Sequence, residues 1–241
     1  MKLLTAALLP LALLAGCGEG KEAPTAPANS VAAVAAPAGQ DWTQTVSATE
    51  EGGYVVGNPD APLKLVEWGS RLCPTCGAFA TSGMEPLMEN YVKTGKVAYE
   101  FREFLVHGAP DFAPALIGRC GGAQPFFPML EEMMAAQATI LPKMEDAGAF
   151  QQGIQNQPPA QQFTAWAEKL GYIDFAKQRG LPEAQVRACL TDQKAIDALV
   201  KYMEAGSNAG VTGTPSFFLN GKKLDAVSWP QVEEALKTAG A

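Results

Sequence analysis

The 241 residues carry a formal net charge of −7 and gather Lys and Arg into no phosphate-binding stretch, which excludes nucleic acid as a partner. Once an N-terminal leader and a tether are set aside, roughly 190 residues remain, enough for one well-cored domain or a domain with an insertion.

The chain opens with Lys2 and an apolar stretch from Leu3 to Leu14, interrupted by Pro10. Spanning a bilayer takes roughly 20 apolar residues, so the stretch reads as a secretory leader over residues 1–16, outside the fold. It ends in Leu14-Ala15-Gly16-Cys17, which resembles the lipobox of bacterial lipoproteins. The resemblance implies cleavage before Cys17 and lipidation of that residue; the alternative is an ordinary leader that contains a cysteine. Export implies an oxidising periplasm, where disulfides persist and dithiol catalysts are needed. Gly18 is not the Asp-type signal for inner-membrane retention, which points to the outer membrane. Residues 17–48, rich in Ala and Pro, read as the lipidated cysteine and a flexible tether. Some thirty residues of random coil would reach about 30 Å.

Gly52 to Pro59 is turn-rich, with Asn58-Pro59 and Ala61-Pro62 punctuating the chain before an apolar strand, Leu63 to Trp68. A helix is predicted from Pro74 to Lys93, broken or kinked near Pro86 and ended by Gly95. Val97 to Phe104 carries aromatics at alternate positions and reads as a second strand, which makes a parallel βαβ unit. From Ala109 to Ala205 the pattern is helical: Phe163, Trp166, Ala167 and Leu170 follow the spacing of one buried helix face, and Ile196, Leu199, Val200 and Met203 repeat it. A shorter helix starts at Pro182 and includes Val186, Cys189 and Leu190. A strand from Ser216 to Leu219 then turns at Asn220-Gly221 and returns through Lys222 to Leu224; Asn-Gly suits a turn whose two central residues both need φ > 0. A last helix spans Trp229 to Lys237.

Cys73-Pro74-Thr75-Cys76 lies where the first strand passes into the first helix. Unpaired amides and the helix dipole at a helix N-terminus stabilise a thiolate, so Cys73 is expected to be the more acidic and more exposed sulfur. Pro74 suits the first helical turn. Two intervening residues let the sulfurs close a small ring that reopens by thiol–disulfide exchange. The pair reads as a redox site.

Four segments together, Gly57-Asn58-Pro59-Asp60-Ala61-Pro62, Leu65-Val66-Glu67-Trp68-Gly69-Ser70, Cys73-Pro74-Thr75-Cys76 and Gly213-Thr214-Pro215-Ser216-Phe217-Phe218, resemble the DsbA-like thiol–disulfide oxidoreductases. The resemblance covers residues 50 to 240 and implies an α/β thioredoxin fold, residues 49–108 and 206–241, with an inserted helical domain at 109–205. It implies that Cys73 and Cys76 are catalytic, that Pro215 is cis and lies against them, and that Thr214 presents its backbone to a peptide beside Pro74 and Thr75. Glu67 becomes the buried acid that exchanges a proton with Cys76, with a raised pKa; an exposed strand-edge Glu is the alternative. Cys120 and Cys189 resemble the second, non-catalytic disulfide of some alphaproteobacterial members, with two buried free thiols as the alternative. The implied partners are exported proteins with reduced cysteines and a quinone-linked membrane protein that reoxidises the pair; no cofactor is implied. Thr75 departs from the Cys-Pro-His-Cys of strongly oxidising members, and its loss of the histidine is expected to raise the Cys73 pKa. The sole histidine, His107, reads as a loop residue.

Other readings compete. Two cysteines and one histidine fall short of the four ligands of structural zinc. Copper capture by Met129, Met133, Met134 and Met144 competes with core packing, because Leu130, Met133 and Met134 share a helical spacing. The same fold can also act as a reductase or isomerase. Dedicated isomerases add a dimerisation domain that residues 18–50 do not supply, which favours a monomeric oxidase. A lipoprotein that only binds peptides is the third rival.

Overall fold

The computed structural model describes residues 30–241, so the leader expected at 1–16 and the lipidation expected at Cys17 lie outside the described residues. The strands are β1 Val46–Ala48, β2 Tyr54–Val56, β3 Leu63–Gly69, β4 Val97–Glu103, β5 Ser216–Leu219 and β6 Lys222–Lys223, in the sheet order β1-β2-β4-β3-β5-β6. The helices are α1 Pro74–Leu87, α2 Ala109–Arg119, α3 Phe126–Ala135, α4 Gln137–Ile140, α5 Ala147–Ile154, α6 Pro159–Leu170, α7 Tyr172–Lys177, α8 Glu183–Leu190, α9 Gln193–Asn208 and α10 Trp229–Thr238. Among the described strands only β3 and β4 run parallel, joined through α1; the remaining pairs are antiparallel. This is the thioredoxin-like α/β fold, with α2 to α9 inserted between β4 and β5.

Alternation along β3 sends Leu63, Leu65 and Glu67 to one face of the sheet. There they meet Phe79 and Leu87 of α1, Phe126 and Leu130 of α3, and Trp229 and Val232 of α10 in one apolar core. The inserted helices build a second core around Leu116, Met133, Trp166, Leu170, Tyr172 and Leu199. On the opposite sheet face Trp68, Phe104, Val211 and Phe218 pack together. Gly206 of α9 passes close over this group; a Cβ there would lie 2.8 Å from the Trp68 ring.

Several expectations need correction. The stretch from Gly52 to Pro59 contains β2 as well as turns, because Tyr54 pairs with Phe101 in the sheet and stacks on Phe126 with ring centroids 4.0 Å apart. The tether does not extend to residue 48. Val31 N donates to Gly240 O (2.8 Å), Val34 N donates to Thr94 O (2.9 Å), and buried Trp42 donates through Nε1 to Val34 O (2.7 Å). Backbone pairing, with Val31 against the core and Trp42 buried, thus docks this segment, and the sheet already begins at Val46. Pro86 sits inside α1, and the break expected there is a change of register instead: Met88–Val92 forms a wider turn closed by Lys93 N donating to Met88 O (2.9 Å). On α9 Ile196 and Leu199 are buried, but Val200 is 42% exposed, so the apolar stripe is narrower than its spacing implies. That helix also continues past 205 to Asn208.

Candidate active site

Cys73 caps the N-terminus of α1 with extended backbone, and Pro74 is the first helical residue. Cys73 N donates back to Ser70 O (3.1 Å), closing a turn between β3 and the helix. Both Cys73 and Cys76 are free thiols. Cys73 is 6% exposed and Cys76 0%, so Cys73 is the more accessible sulfur although both are buried. Pro74 and Thr75 are exposed beside it. From 141 positions away along the chain, the Thr214–Pro215 peptide bond, which is cis, brings Thr214 O to 3.3 Å from Cys73 Sγ.

The two sulfurs are driven apart in acidity. A hydrogen bond from the Cys76 thiol, aided by the Thr214 side chain and the Cys76 and Thr75 amides, outweighs burial and lowers the Cys73 pKa to about 5. Thr214 Oγ1 is buried without another well-aligned partner, which leaves it free to donate to a thiolate. With no histidine at Thr75, the stabilising donors come from Cys76, Thr214 and the main chain. Cys76 is pushed up, first by burial, then by Cys73 and the charge of Glu67.

Glu67 is 1% exposed, which excludes the strand-edge alternative. Burial raises its pKa to about 8, against a hydrogen bond in which Tyr99 OH donates to Oε2 at 2.6 Å. The charges of Cys73 and Glu103 push the same way as burial. Register explains the contact. Leu65 pairs with Tyr99 and Glu67 with Phe101, so Tyr99 and Glu67 are diagonal neighbours on the face beneath α1.

Four further features escape sequence reading. Arg71 and Glu103 form an ion pair (2.9 Å) with side chains 0% and 1% exposed. The guanidinium lies over the Phe126 ring, 5.0 Å from its centroid, and against Gly118, where a Cβ would approach Arg71 Cζ to 2.4 Å. Ser70 Oγ donates to buried Asp111 (2.8 Å) and accepts from Leu72 N (3.1 Å), which fastens the turn to α2. Asp111 also accepts from His107 N (2.7 Å), and His107 Nδ1 lies 3.1 Å from it. That bond raises the His107 pKa. Finally, Gln137 donates through Nε2 to the carbonyls of Arg71 and Cys73. The only sequence signals were polar residues set in apolar surroundings: Arg71 before the cysteines, Glu103 at a strand end, and Gln137 after a Met-rich run.

Cys120 and Cys189 are joined as a disulfide, with Cα atoms 5.8 Å apart and a separation of 69 positions in sequence. It links the end of α2 to α8. Met129, Met133 and Met134 are buried in the two cores, which is packing rather than a copper face. Among the described residues no three His, Cys, Asp or Glu side chains cluster as a metal site, and no helix is long and apolar enough to cross a membrane.

A family model described as Thioredoxin matches residues 49–238. A Rickettsia bellii protein provisionally named a protein-disulfide oxidoreductase is 26% identical over 191 residues, 79% of this chain and 65% of that protein. Its Rickettsia felis counterpart, provisionally named in the same way, is also 26% identical, over 79% of this chain and 61% of that protein. The chain thus spans slightly less than two thirds of the length of these curated relatives. Among solved structures, a protein-disulfide isomerase from Novosphingobium aromaticivorans superposes with a TM-score of 0.74 at 28% identity, covering 78% of this chain and 98% of that one. Wolbachia pipientis alpha-DsbA1 superposes at 0.62 with 20% identity, over 77% and 89% of the two chains, a likeness of fold.

Proposed function

The chain belongs to the thioredoxin family, with the DsbA-like form of its fold, and from that premise we propose that it is a thiol–disulfide oxidoreductase that oxidises exported proteins through Cys73 and Cys76. The observation that supports the direction is the placement of Cys73 as the N-cap of α1 beside the cis Thr214–Pro215 bond, where the Cys76 thiol and nearby amides depress its pKa to about 5. A thiolate stabilised in the reduced enzyme makes the enzyme's own disulfide the less stable partner, so it passes to substrates.

In the forward reaction a substrate thiolate attacks Cys73 Sγ, the Cys73–Cys76 bond breaks, and Cys76 leaves. Cys76 has a raised pKa and takes a proton. Glu67, protonated at neutral pH with a pKa of about 8, is the acid that supplies it. The second substrate thiol, as thiolate, then attacks the substrate sulfur of the mixed disulfide. Cys73 leaves as the thiolate held by the Cys76 thiol and the Thr214 hydroxyl. The substrate has lost two electrons and gained a disulfide; the enzyme holds a dithiol and needs an oxidant. Thr214 and Pro215, with exposed Pro74 and Thr75, form the surface on which an extended peptide would dock. The reoxidising partner is a quinone-linked membrane protein, and Cys17 supplies a lipid anchor that keeps a monomeric body in the periplasm beside the outer membrane. The Cys120–Cys189 disulfide is structural.

A second reading runs the same chemistry backwards, as a reductase or isomerase. It draws support from the Novosphingobium aromaticivorans protein-disulfide isomerase, 28% identical to this chain. The reduction potential against glutathione separates the two, measured in the intact protein and in a variant lacking Cys120 and Cys189. A value near roughly −120 to −150 mV identifies a donor of disulfides. A value near roughly −230 to −270 mV overturns the oxidase reading and leaves a protein that must be kept reduced.

A further inference from the structure

Gln137, the first residue of α4, reaches from the inserted helices to the back of the Cys73 turn. Its side chain is buried, at 7% exposure, among apolar neighbours that include Met134. Nε2 donates to Arg71 O at 3.0 Å and to Cys73 O at 2.9 Å. An amide with its oxygen on that side would meet two carbonyls, so the hydrogen bonds themselves fix which way it points.

Gly77 gives an independent sign that the contact is built in. It lies inside α1 and is buried, where glycine disfavours a helix relative to alanine. A Cβ at this position would stand 2.1 Å from Gln137 Oε1 and 2.6 Å from Cδ. Only glycine lets the first turn of the catalytic helix approach the amide this closely.

The consequence is electrostatic. The Cys73 carbonyl accepts both from Gly77 N (3.0 Å) and from Gln137. Held in this way, its negative end is turned to the helix interior and to α4, while the Thr75 and Cys76 amides face the sulfur. The Arg71 carbonyl, two residues earlier, is turned the same way. Losing the donor frees the buried Arg71 carbonyl and leaves the Cys73 carbonyl to Gly77 N alone, so the peptide planes that order the N–H groups around Sγ lose a restraint.

We propose that Gln137 is a positioning residue: by hydrogen-bonding the carbonyls of Arg71 and Cys73 it holds the turn in the orientation that stabilises the Cys73 thiolate. The inserted helical region therefore sets the redox poise of the pair jointly with the thioredoxin core. The inference rests on the oxidoreductase reading above.

The test uses Gln137→Leu and, as an unbranched replacement of similar length, Gln137→Met. In each folded variant the Cys73 thiolate is titrated by its ultraviolet absorbance, and the exchange equilibrium with glutathione is measured. We expect roughly a tenfold weaker thiolate, one unit in pKa, and a tenfold shift of the equilibrium toward the oxidised protein, about 30 mV by the two-electron conversion. A merely structural glutamine would lower stability and leave both readouts within twofold of the unsubstituted protein; that result overturns the proposal. A third measurement needs no variant. In the unsubstituted protein the side-chain amide resonances of Gln137 should follow the Cys73 titration, and resonances that ignore it overturn the proposal even where neither variant folds. If the unsubstituted protein does not exchange with glutathione at all, the oxidoreductase reading itself fails. Normal exchange that is identical in the variants sinks this inference alone.

Discussion

Glu67→Gln isolates the cost of keeping a carboxyl under the active site. Glu67 has an ordinary value of 4.5 and a folded value of about 8, so the folded protein binds this proton more tightly than the unfolded chain does. Stability should therefore fall as pH rises between those two values. The full difference is about 5 kcal/mol above pH 8, and about 3 kcal/mol of it is already expressed at pH 7. Glutamine keeps an oxygen that can accept from Tyr99 and has no charge to bury. Glu67→Gln should then match the parent below pH 4 and exceed its stability by about 3 kcal/mol at pH 7, levelling off above pH 8. The assay is urea unfolding from pH 4 to pH 9, with both proteins in the Cys73–Cys76 disulfide form so that no thiolate titrates alongside. The smaller contribution of the Cys73 charge is then absent, and about 3 kcal/mol at pH 7 is the upper bound. A stability difference that does not change with pH would falsify the assignment of Glu67 as a buried acid. The same substitution should slow displacement of Cys76 from the Cys73–Cys76 disulfide by a substrate thiolate, since it removes the proton donor while stabilising the fold.

Three further outcomes follow from the structure. Cys76→Ala removes the first donor to Cys73 and should raise the thiolate midpoint in an absorbance titration by roughly one unit or more; a midpoint still near 5 would assign the acidity to the helix terminus and Thr214 alone. Replacing both Cys120 and Cys189 by alanine opens a loop of 69 positions and should cost about 4 kcal/mol in unfolding experiments, with no change in the Cys73 titration. Arg71→Leu strands Glu103 in the core and should destabilise by about 3–5 kcal/mol, and the double variant Arg71→Leu with Glu103→Leu should recover most of that loss. Equal losses in the single and double variants would mean that packing on Phe126, not the charge pair, carries the effect.

What the sequence by itself determined is mostly local. The Leu63–Gly69 strand, the cysteine turn with Pro74 at the helix start, and the stripe of Phe163, Trp166, Ala167 and Leu170 repeat a period that needs no distant partner to be read. The Asn220-Gly221 turn is equally local, with φ of 49° and 80° at its two residues. Resemblance carried the link between Cys73 and Thr214–Pro215, which no local pattern contains. What only the tertiary structure decided is what happens where separate elements meet. Tyr54 to Val56 is too short to announce a strand until β4 pairs with it, and residues 31 to 42 look like a tether until Thr94 and Gly240 offer backbone partners. Glu67 could be read as edge or core, and sheet register settles it by stacking Tyr99 beside it under α1. The extent of Cys73 acidity is not legible from Thr75, because the groups that lower it lie on other peptide planes and in other elements. Hydrogen bonds and burial act through space over a few ångströms, and the chain fixes those distances only once strands, turn and inserted helices have packed.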